Sequence, residues 1–221
     1  MRSNLSTSTL ALFALAIALF SCQSKQEVSP REYPRLGTEK ITEINNSGAT
    51  FTGVVKTLGA APITDHGFTW SITPNSLVEN ASRISLGTKQ ETGSFSATAT
   101  FAMEAGKTHY VRTYARSGKY TVYGPSIAYT SQGSLAPVIT EFSPASARRN
   151  ETVTITGNNF SQDQNRLRVL FGNSTATIIS ATPEKIVCMV PYNLNPQPQI
   201  KITVQLAGQT VSSTTHFTLL Q

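Results

Sequence analysis

The chain has 221 residues, a formal charge of +6 and charged side chains at 14% of positions. Sparse charge, abundant Ser and Thr, and missing runs of Ala, Glu, Lys and Leu argue against a helical protein. Frequent β-branched residues, with Gly and Pro at regular intervals, point to an all-β fold of many short strands. A pI near 9.5 is the balance of a nucleic-acid binder, but the basic residues are scattered. Arg148-Arg149 and Arg166/Arg168 come nearest to a cluster, so a solvated basic surface is expected and no nucleic-acid partner.

Residues 1–21 are expected to be a signal peptide. Arg2 supplies a positive start, and Leu10 to Phe20 is an unbroken apolar run of 11 residues. A bilayer span needs about 20, so the run fits the h-region of a secretory signal. The stretch Leu19-Phe20-Ser21-Cys22 that follows resembles a lipobox, the site at which bacterial lipoproteins are acylated on Cys and cleaved before it. The resemblance implies lipidation of Cys22 and a membrane partner reached through that lipid. Residues 22–33 then form the lipidated Cys and a short polar tether. With Cys22 committed to lipid, Cys188 is left alone, so no intramolecular disulfide is expected. It lies in Lys185-Ile186-Val187-Cys188-Met189-Val190, which reads as a buried strand with Cys188 as a small core residue.

The first sandwich is expected over 34–131. Phe51, Gly53 and Val55 share a face of one strand. Phe95, Ala97, Ala99 and Phe101 share a face of another, with Ser94, Ser96, Thr98 and Thr100 opposite. A period of two with one polar face marks a half-buried antiparallel strand. Further strands are expected near 38–45, 64–72, 83–88, 107–117 and 120–130, about seven in all, as in a sandwich. Trp70 shares a face with Phe68 and reads as core.

Gly67-Phe68-Thr69-Trp70-Ser71, Pro74, His109-Tyr110-Val111-Arg112-Thr113-Tyr114-Ala115 and Tyr123-Gly124 together resemble the fibronectin type III-like modules of Bacteroidetes surface proteins. That family places a Leu and, six residues on, a Tyr whose hydroxyl bonds to backbone upstream, the tyrosine corner. Here Met103 takes the Leu position and His109 the Tyr position. Either His109 substitutes in the corner, or the loop is one residue longer and Tyr110 fills it. The choice swaps strand faces. The first alternative is favoured because it buries Val111, Thr113 and Ala115. It leaves Tyr110, Arg112 and Tyr114 as an outward row.

After a small, polar linker at 132–136, a second sandwich is expected over 137–221. Val153 and Ile155 share a face, as do Ile200, Ile202, Val204 and Leu206, with Lys201, Thr203 and Gln205 outward. Gly157-Asn158-Asn159 suits a turn needing positive φ. Pro137 to Pro144, Thr152 to Phe160, Val169-Leu170-Phe171-Gly172, Val190-Pro191 and His216 to Leu219 together resemble an IPT/TIG domain, an immunoglobulin-like sandwich. The family often carries Gly where this chain has Asn150, a residue that also tolerates the left-handed conformation.

No catalytic set emerges. Asp65 and His66 are adjacent, in a segment read as a loop leading into a strand, but no nucleophile is marked beside them. Asp163 and Asn165 share a polar loop that offers too few carboxylates for calcium, and zinc would need clustered Cys and His. No cofactor motif occurs, and no enzyme activity, cofactor or metal is expected. The candidate ligand-binding residues are the outward row Tyr110, Arg112 and Tyr114, together with Tyr120 and Tyr123. The last two flank a hairpin and are the most exposed by pattern. Tyr192 offers a further flat face. Two functions follow. One is a non-catalytic binding module for polysaccharide or an envelope protein, held at the outer membrane and exposed at the cell surface. The alternative is a structural spacer or subunit of a larger envelope complex.

Overall fold

The computed structural model describes residues 31–75 and 77–221. The expected signal peptide, Cys22 and most of the tether lie outside the described residues. Those residues form an all-β protein in which two sets of strands each pair only among themselves.

The first set is β1 (Arg35–Asn45), β2 (Gly48–Thr57), β3 (Ile63–Ser71), β4 (Ser82–Ser85), β5 (Gly93–Ala99), β6 (Thr108–Ser117), β7 (Tyr120–Tyr123) and β8 (Ile127–Thr130). One sheet runs β1-β2-β5. The other runs β4-β3-β6-β7, with β8 also on β6. The expected strand over 120–130 is two strands, because Gly124 and Pro125 interrupt the ladder and β8 pairs with an earlier stretch of β6, Thr108 to Val111, than β7 does. Asp65 and His66, expected in a loop, lie inside β3.

Between the two sheets lie Phe51, Phe68 and Trp70, all essentially inaccessible. Phe51 meets Phe68 and Trp70 edge-on, at 5.7 and 5.6 Å between ring centroids, a geometry that suits the aromatic quadrupole. The alternation expected on the strand after Gly93 holds. Ala99 and Phe101 are buried, Phe95 and Ala97 are half-buried, and Ser94, Ser96 and Thr98 are exposed.

The second set is β9 (Val138–Ser143), β10 (Ser146–Ala147), β11 (Thr152–Asn158), β12 (Leu167–Phe171), β13 (Ser174–Thr175), β14 (Thr177–Ala181), β15 (Lys185–Met189), β16 (Ile202–Leu206), β17 (Gln209–Ser212) and β18 (Thr218–Leu219). The sheet β14-β15-β11-β9 faces the sheet β13-β12-β16-β17 across the core. A short parallel pair, β10-β18, closes one end. Val153, Ile155, Ile202, Val204 and Leu206 are buried on the faces the alternation assigns them. Cys188 is buried among them as a free thiol, which burial pushes up to about 12.

Two details refine the expected turns. Asn150 has φ 66° and Asn159 φ 61°, the left-handed conformation asparagine accepts. Gly157 is different. It serves a close approach, since a Cβ there would lie 1.8 Å from the Val138 carbonyl oxygen on β9.

The segment between the two sets is fastened. Leu135 N donates to Thr100 O at 2.8 Å, Met103 N donates to Ser134 Oγ at 3.1 Å, and Gln209 Nε2 donates to Ser134 O at 3.1 Å. Ser131, Gly133 and Ser134 are buried. The small side chains that make this stretch read as a linker are those that let backbone pack against both neighbours. One buried cluster accordingly runs from Phe51 and Trp70 through Met103 to Phe160, Leu167 and Val204.

Candidate binding site

The β4-β3-β6-β7 sheet turns Phe68, Trp70, His109, Val111, Thr113 and Ala115 inward. Its other face carries Asp65, Gly67, Thr69 and Ser71 on β3, and Tyr110, Arg112 and Tyr114 on β6. The expected assignment of faces on β6 is therefore the one with His109 inside. His109 is fully buried, and its Nε2 accepts a hydrogen bond from Glu104 N at 3.2 Å. At this corner the side chain therefore acts as an acceptor. Because Nε2 accepts, the ring proton sits on Nδ1, which is buried and has no hydrogen-bond partner among the described residues. Burial, and then the positive charge of Arg166, hold His109 down at about 4.

The expectation of an exposed tyrosine row is corrected. Tyr114 is 0% exposed, and its hydroxyl donates to Asp65 Oδ2 at 2.9 Å. Burial and this bond push the phenol up to about 12. The cause lies in the cross-strand neighbours. Tyr114 pairs with Gly67 on one side and Tyr123 on the other. The missing side chain of Gly67 leaves room for the ring, whose Cε1 would be 3.3 Å from any Cβ placed there.

The remaining candidates are also engaged. Arg112 stacks over Tyr123 with Cζ 4.6 Å from the ring centroid and donates from Nε to Gly124 O at 3.1 Å. The Tyr123 hydroxyl accepts from Val78 N at 3.0 Å. Tyr120 donates its hydroxyl to Glu32, which raises its pKa, and its ring packs against Tyr33. Tyr110 is half-buried at the end of the row, opposite Ser71. Tyr120 and Tyr123 are half-buried and so are not the most exposed aromatics. Tyr192, in the loop after β15, is 76% exposed.

A covering segment explains why the row is not free. Thr69 and Ser71 point outward from β3 yet are only 1% and 3% exposed. The β3–β4 connection lies over them. Val78 is its anchor, 1% exposed, with its carbonyl taking a bond from Arg83 Nη1 at 3.3 Å. No hydrophobic period marks this connection, so its role could not be read from pattern. Asp65 and His66 point to opposite faces, Asp65 to Ser85 and Tyr114, His66 to the Gly87 carbonyl at 2.7 Å. They make no catalytic pair.

The covering segment also forms one wall of a cleft of about 550 Å³ whose other wall is the β11–β12 loop of the second sandwich. Ile72 and Leu77 line it, 42% and 47% exposed, with the amides of Asn75, Asn80 and Asn165 between and beyond them. Its floor is polar and fixed. Asp163 is 4% exposed and accepts from Asn165 N at 3.2 Å, and burial raises its pKa. Arg166 bridges to Glu104 at 3.3 Å. Ser82 and Ser161 share a buried hydrogen bond of 2.8 Å across the junction. Sequence reasoning considered Asp163 and Asn165 for calcium, and no group of three or more acidic, His or Cys side chains suited to a metal occurs among the described residues. It missed Ile72, Leu77, Asn75 and Asn80. The signal was apolar residues in a Pro- and Asn-rich loop, which acquires meaning only when the second sandwich is set beside it.

Residues 137–219, which span the second sandwich, match the IPT/TIG domain family. No curated protein matches the chain. Among solved structures, the chain is similar to an auxiliary nutrient binding protein from Bacteroides thetaiotaomicron, with 20% identity over 39% of this chain and 21% of that one, at a TM-score of 0.36. It is similar to SGBP-B from a xyloglucan utilization locus in Bacteroides uniformis, with 15% identity over 84% and 49%, at a TM-score of 0.35. It is also similar to the extracellular region of plexin A4, with 14% identity over 90% and 20%, at a TM-score of 0.39. In each case the chain spans less than half of the longer protein.

Proposed function

We propose that this protein is a non-catalytic binding module of the cell envelope, anchored through lipid on Cys22, and that its ligand site is the cleft between the two sandwiches. The cleft carries this reading. It is concave, it lies at a domain junction where ligand sites concentrate, and it sets exposed Ile72 and Leu77 beside neutral amides. Such a surface suits a polyhydroxylated ring, whose apolar face lies on the aliphatic side chains while its hydroxyls bond to Asn75, Asn80 and Asn165. A polysaccharide is therefore the favoured ligand, and an envelope protein the other. The titratable groups nearby are committed to internal bonds, which supports a site that binds without reacting.

The spacer reading has one observation in its favour, the internal engagement of Tyr114, Tyr120 and Tyr123. A panel of immobilised polysaccharides separates the two. The binding reading expects retention on at least one, with Leu77→Ala or Asn165→Ala weakening affinity by about tenfold, roughly 1.4 kcal/mol, and Tyr110→Ala by less than twofold. No retention across the panel, with a consistent cross-linked envelope partner in cells, decides for the spacer.

A further inference from the structure

At the end of the first sandwich away from the cleft, the segment entering β1 meets the β2–β3 loop and the β6–β7 turn. The register places them together, with Arg35 opposite Thr57 and Ser117 opposite Tyr120. Ala60 N donates to Arg31 O at 3.0 Å, fastening the start of the described chain to the β2–β3 loop. The surface so built has an aromatic and apolar centre. The rings of Tyr33 and Tyr120 pack at 5.4 Å, Tyr33 is 41% exposed, and Leu58 is 40% exposed.

Cations surround that centre. Lys119 Nζ lies 5.2 Å from the Tyr120 ring centroid, and Arg31, Arg35 and Lys56 are exposed at the same end. Of the acidic groups there, Glu32 accepts the Tyr120 hydroxyl, while the β4–β5 loop carries one acid, Glu91, and one base, Lys89. The surface therefore carries a net positive charge around amphipathic rings.

We propose that this surface rests on the lipid bilayer to which the protein is tethered. Tyr33, Leu58 and Tyr120 sit at headgroup level, and Lys119, Lys56 and Arg31 lie against anionic headgroups. Tyrosine collects at membrane–water interfaces because its ring is apolar and its hydroxyl wet. Basic side chains near an anionic leaflet are attracted to it. The inference depends on acylation of Cys22. Eight residues lie between Cys22 and Arg31, an extended reach of at most about 32 Å. The chain coming from the lipid thus arrives at this same end of the sandwich. A tether that short holds the surface at high effective concentration beside the headgroups, so a contact too weak to bind alone is sufficient. The docked protein presents its cleft on the side away from the membrane.

The test uses full-length acylated protein in vesicles of phosphatidylethanolamine and phosphatidylglycerol in equal parts, and in phosphatidylcholine. One variant carries a fluorophore at Leu58→Cys and another at Tyr192→Cys, in the loop at the far end of the second sandwich. Buried Cys188 stays unlabelled. Lipids with spin-labelled headgroups should quench the fluorophore at 58 at least fivefold more than at 192. Lys56→Glu with Lys119→Glu should halve that quenching in the anionic vesicles and leave it unchanged in phosphatidylcholine. Equal quenching at both positions in vesicle-bound, acylated protein overturns the docking and leaves the anchor standing. Protection at 58 that follows protein density and yields cross-linked pairs assigns the surface to a second copy and also overturns it. Absence of an acyl mass on Cys22 overturns the anchor reading and the docking with it.

Discussion

In the second sandwich, β11 and β16 bury one face and turn the other toward solvent, so that Val153, Ile155, Ile202 and Val204 alternate with Thr154, Thr156 and Thr203. In the first, β3 and β6 are covered on both faces. Their inward rows hold Phe68, Trp70, His109 and Val111, while their outward rows hold Thr69, Ser71 and Tyr114, all nearly inaccessible. Most of the buried polar side chains, from His66 and His109 to Thr113 and Ser117, belong to the first sandwich. The second adds Ser161, Asp163 and Ser213. An apolar stripe and good packing define the second sandwich. The first buries more polar side chains, most of them partnered and each costly if its partner is removed, while His109 Nδ1 and Trp70 Nε1 stay without one among the described residues.

The sharpest way to break this comparison is at Gly157. Any side chain there meets the Val138 carbonyl oxygen at 1.8 Å, so β9 must detach from β11. Gly157→Ala should destabilise the protein by at least about 3 kcal/mol, in the range that marks a specific packing fault. Gly87→Ala in the first sandwich is the contrast. Its Cβ would meet nothing within 4 Å and only the φ of 74° must be tolerated, which costs about 1 kcal/mol. Urea denaturation followed by the fluorescence of Trp70, the single tryptophan, measures both. Equal losses would show that close approach does not govern the second sandwich.

The same contrast decides what could be read before the structure was known. Period-two alternation marks a face only when the opposite face is wet. It therefore located the cores of β5, β11 and β16 residue by residue. It also placed His109, Val111 and Thr113 inward on β6. It failed at Tyr114, because exposure of the other face depends on whether something covers it. The covering segment around Val78 has Pro, Asn and Glu where a periodic signal would be needed. The cleft was illegible for a related reason. Ile72 and Leu77 belong to one sandwich and Asn165 to the other, and only the fastening of the intervening segment through Ser134 brings them face to face.

A middle-sized effect tests the polar economy of the first sandwich. His109 is held at about 4, against an ordinary value of 6.5. The folded state therefore keeps the ring neutral where the unfolded chain takes up a proton. Stability is complete above pH 6.5 and falls as pH drops from 6.5 towards 4, since the unfolded state binds the extra proton throughout that window. Between pH 7 and pH 5 the loss should be about 2 kcal/mol. His109→Tyr, which removes the group that titrates in this window, should flatten that slope whatever it does to stability at pH 7. An unchanged slope in the variant would assign the acid sensitivity to another group.

The smallest effect concerns whether the two sandwiches answer to each other. Arg166 of the second reaches Glu104 of the first at 3.3 Å, with side chains 15% and 34% exposed. Partial exposure screens the pair, so a double-mutant cycle of Arg166→Ala and Glu104→Ala should give a coupling of only about 0.5 to 1 kcal/mol. The second consequence is more telling. The charge of Arg166 is one of the causes that lower His109, so removing it should narrow the gap between folded and unfolded histidine and move the acid unfolding of the first sandwich to lower pH, although the substituted residue lies in the second. Arg166→Ala should therefore shift the acid-unfolding midpoint seen by Trp70 fluorescence to lower pH. Glu104→Ala, which leaves that cation unbalanced beside the ring, should shift it the other way. Opposite shifts would show that the junction is electrostatically continuous and that the cleft it walls is held by both sandwiches together. Identical shifts would mean that the pair merely packs.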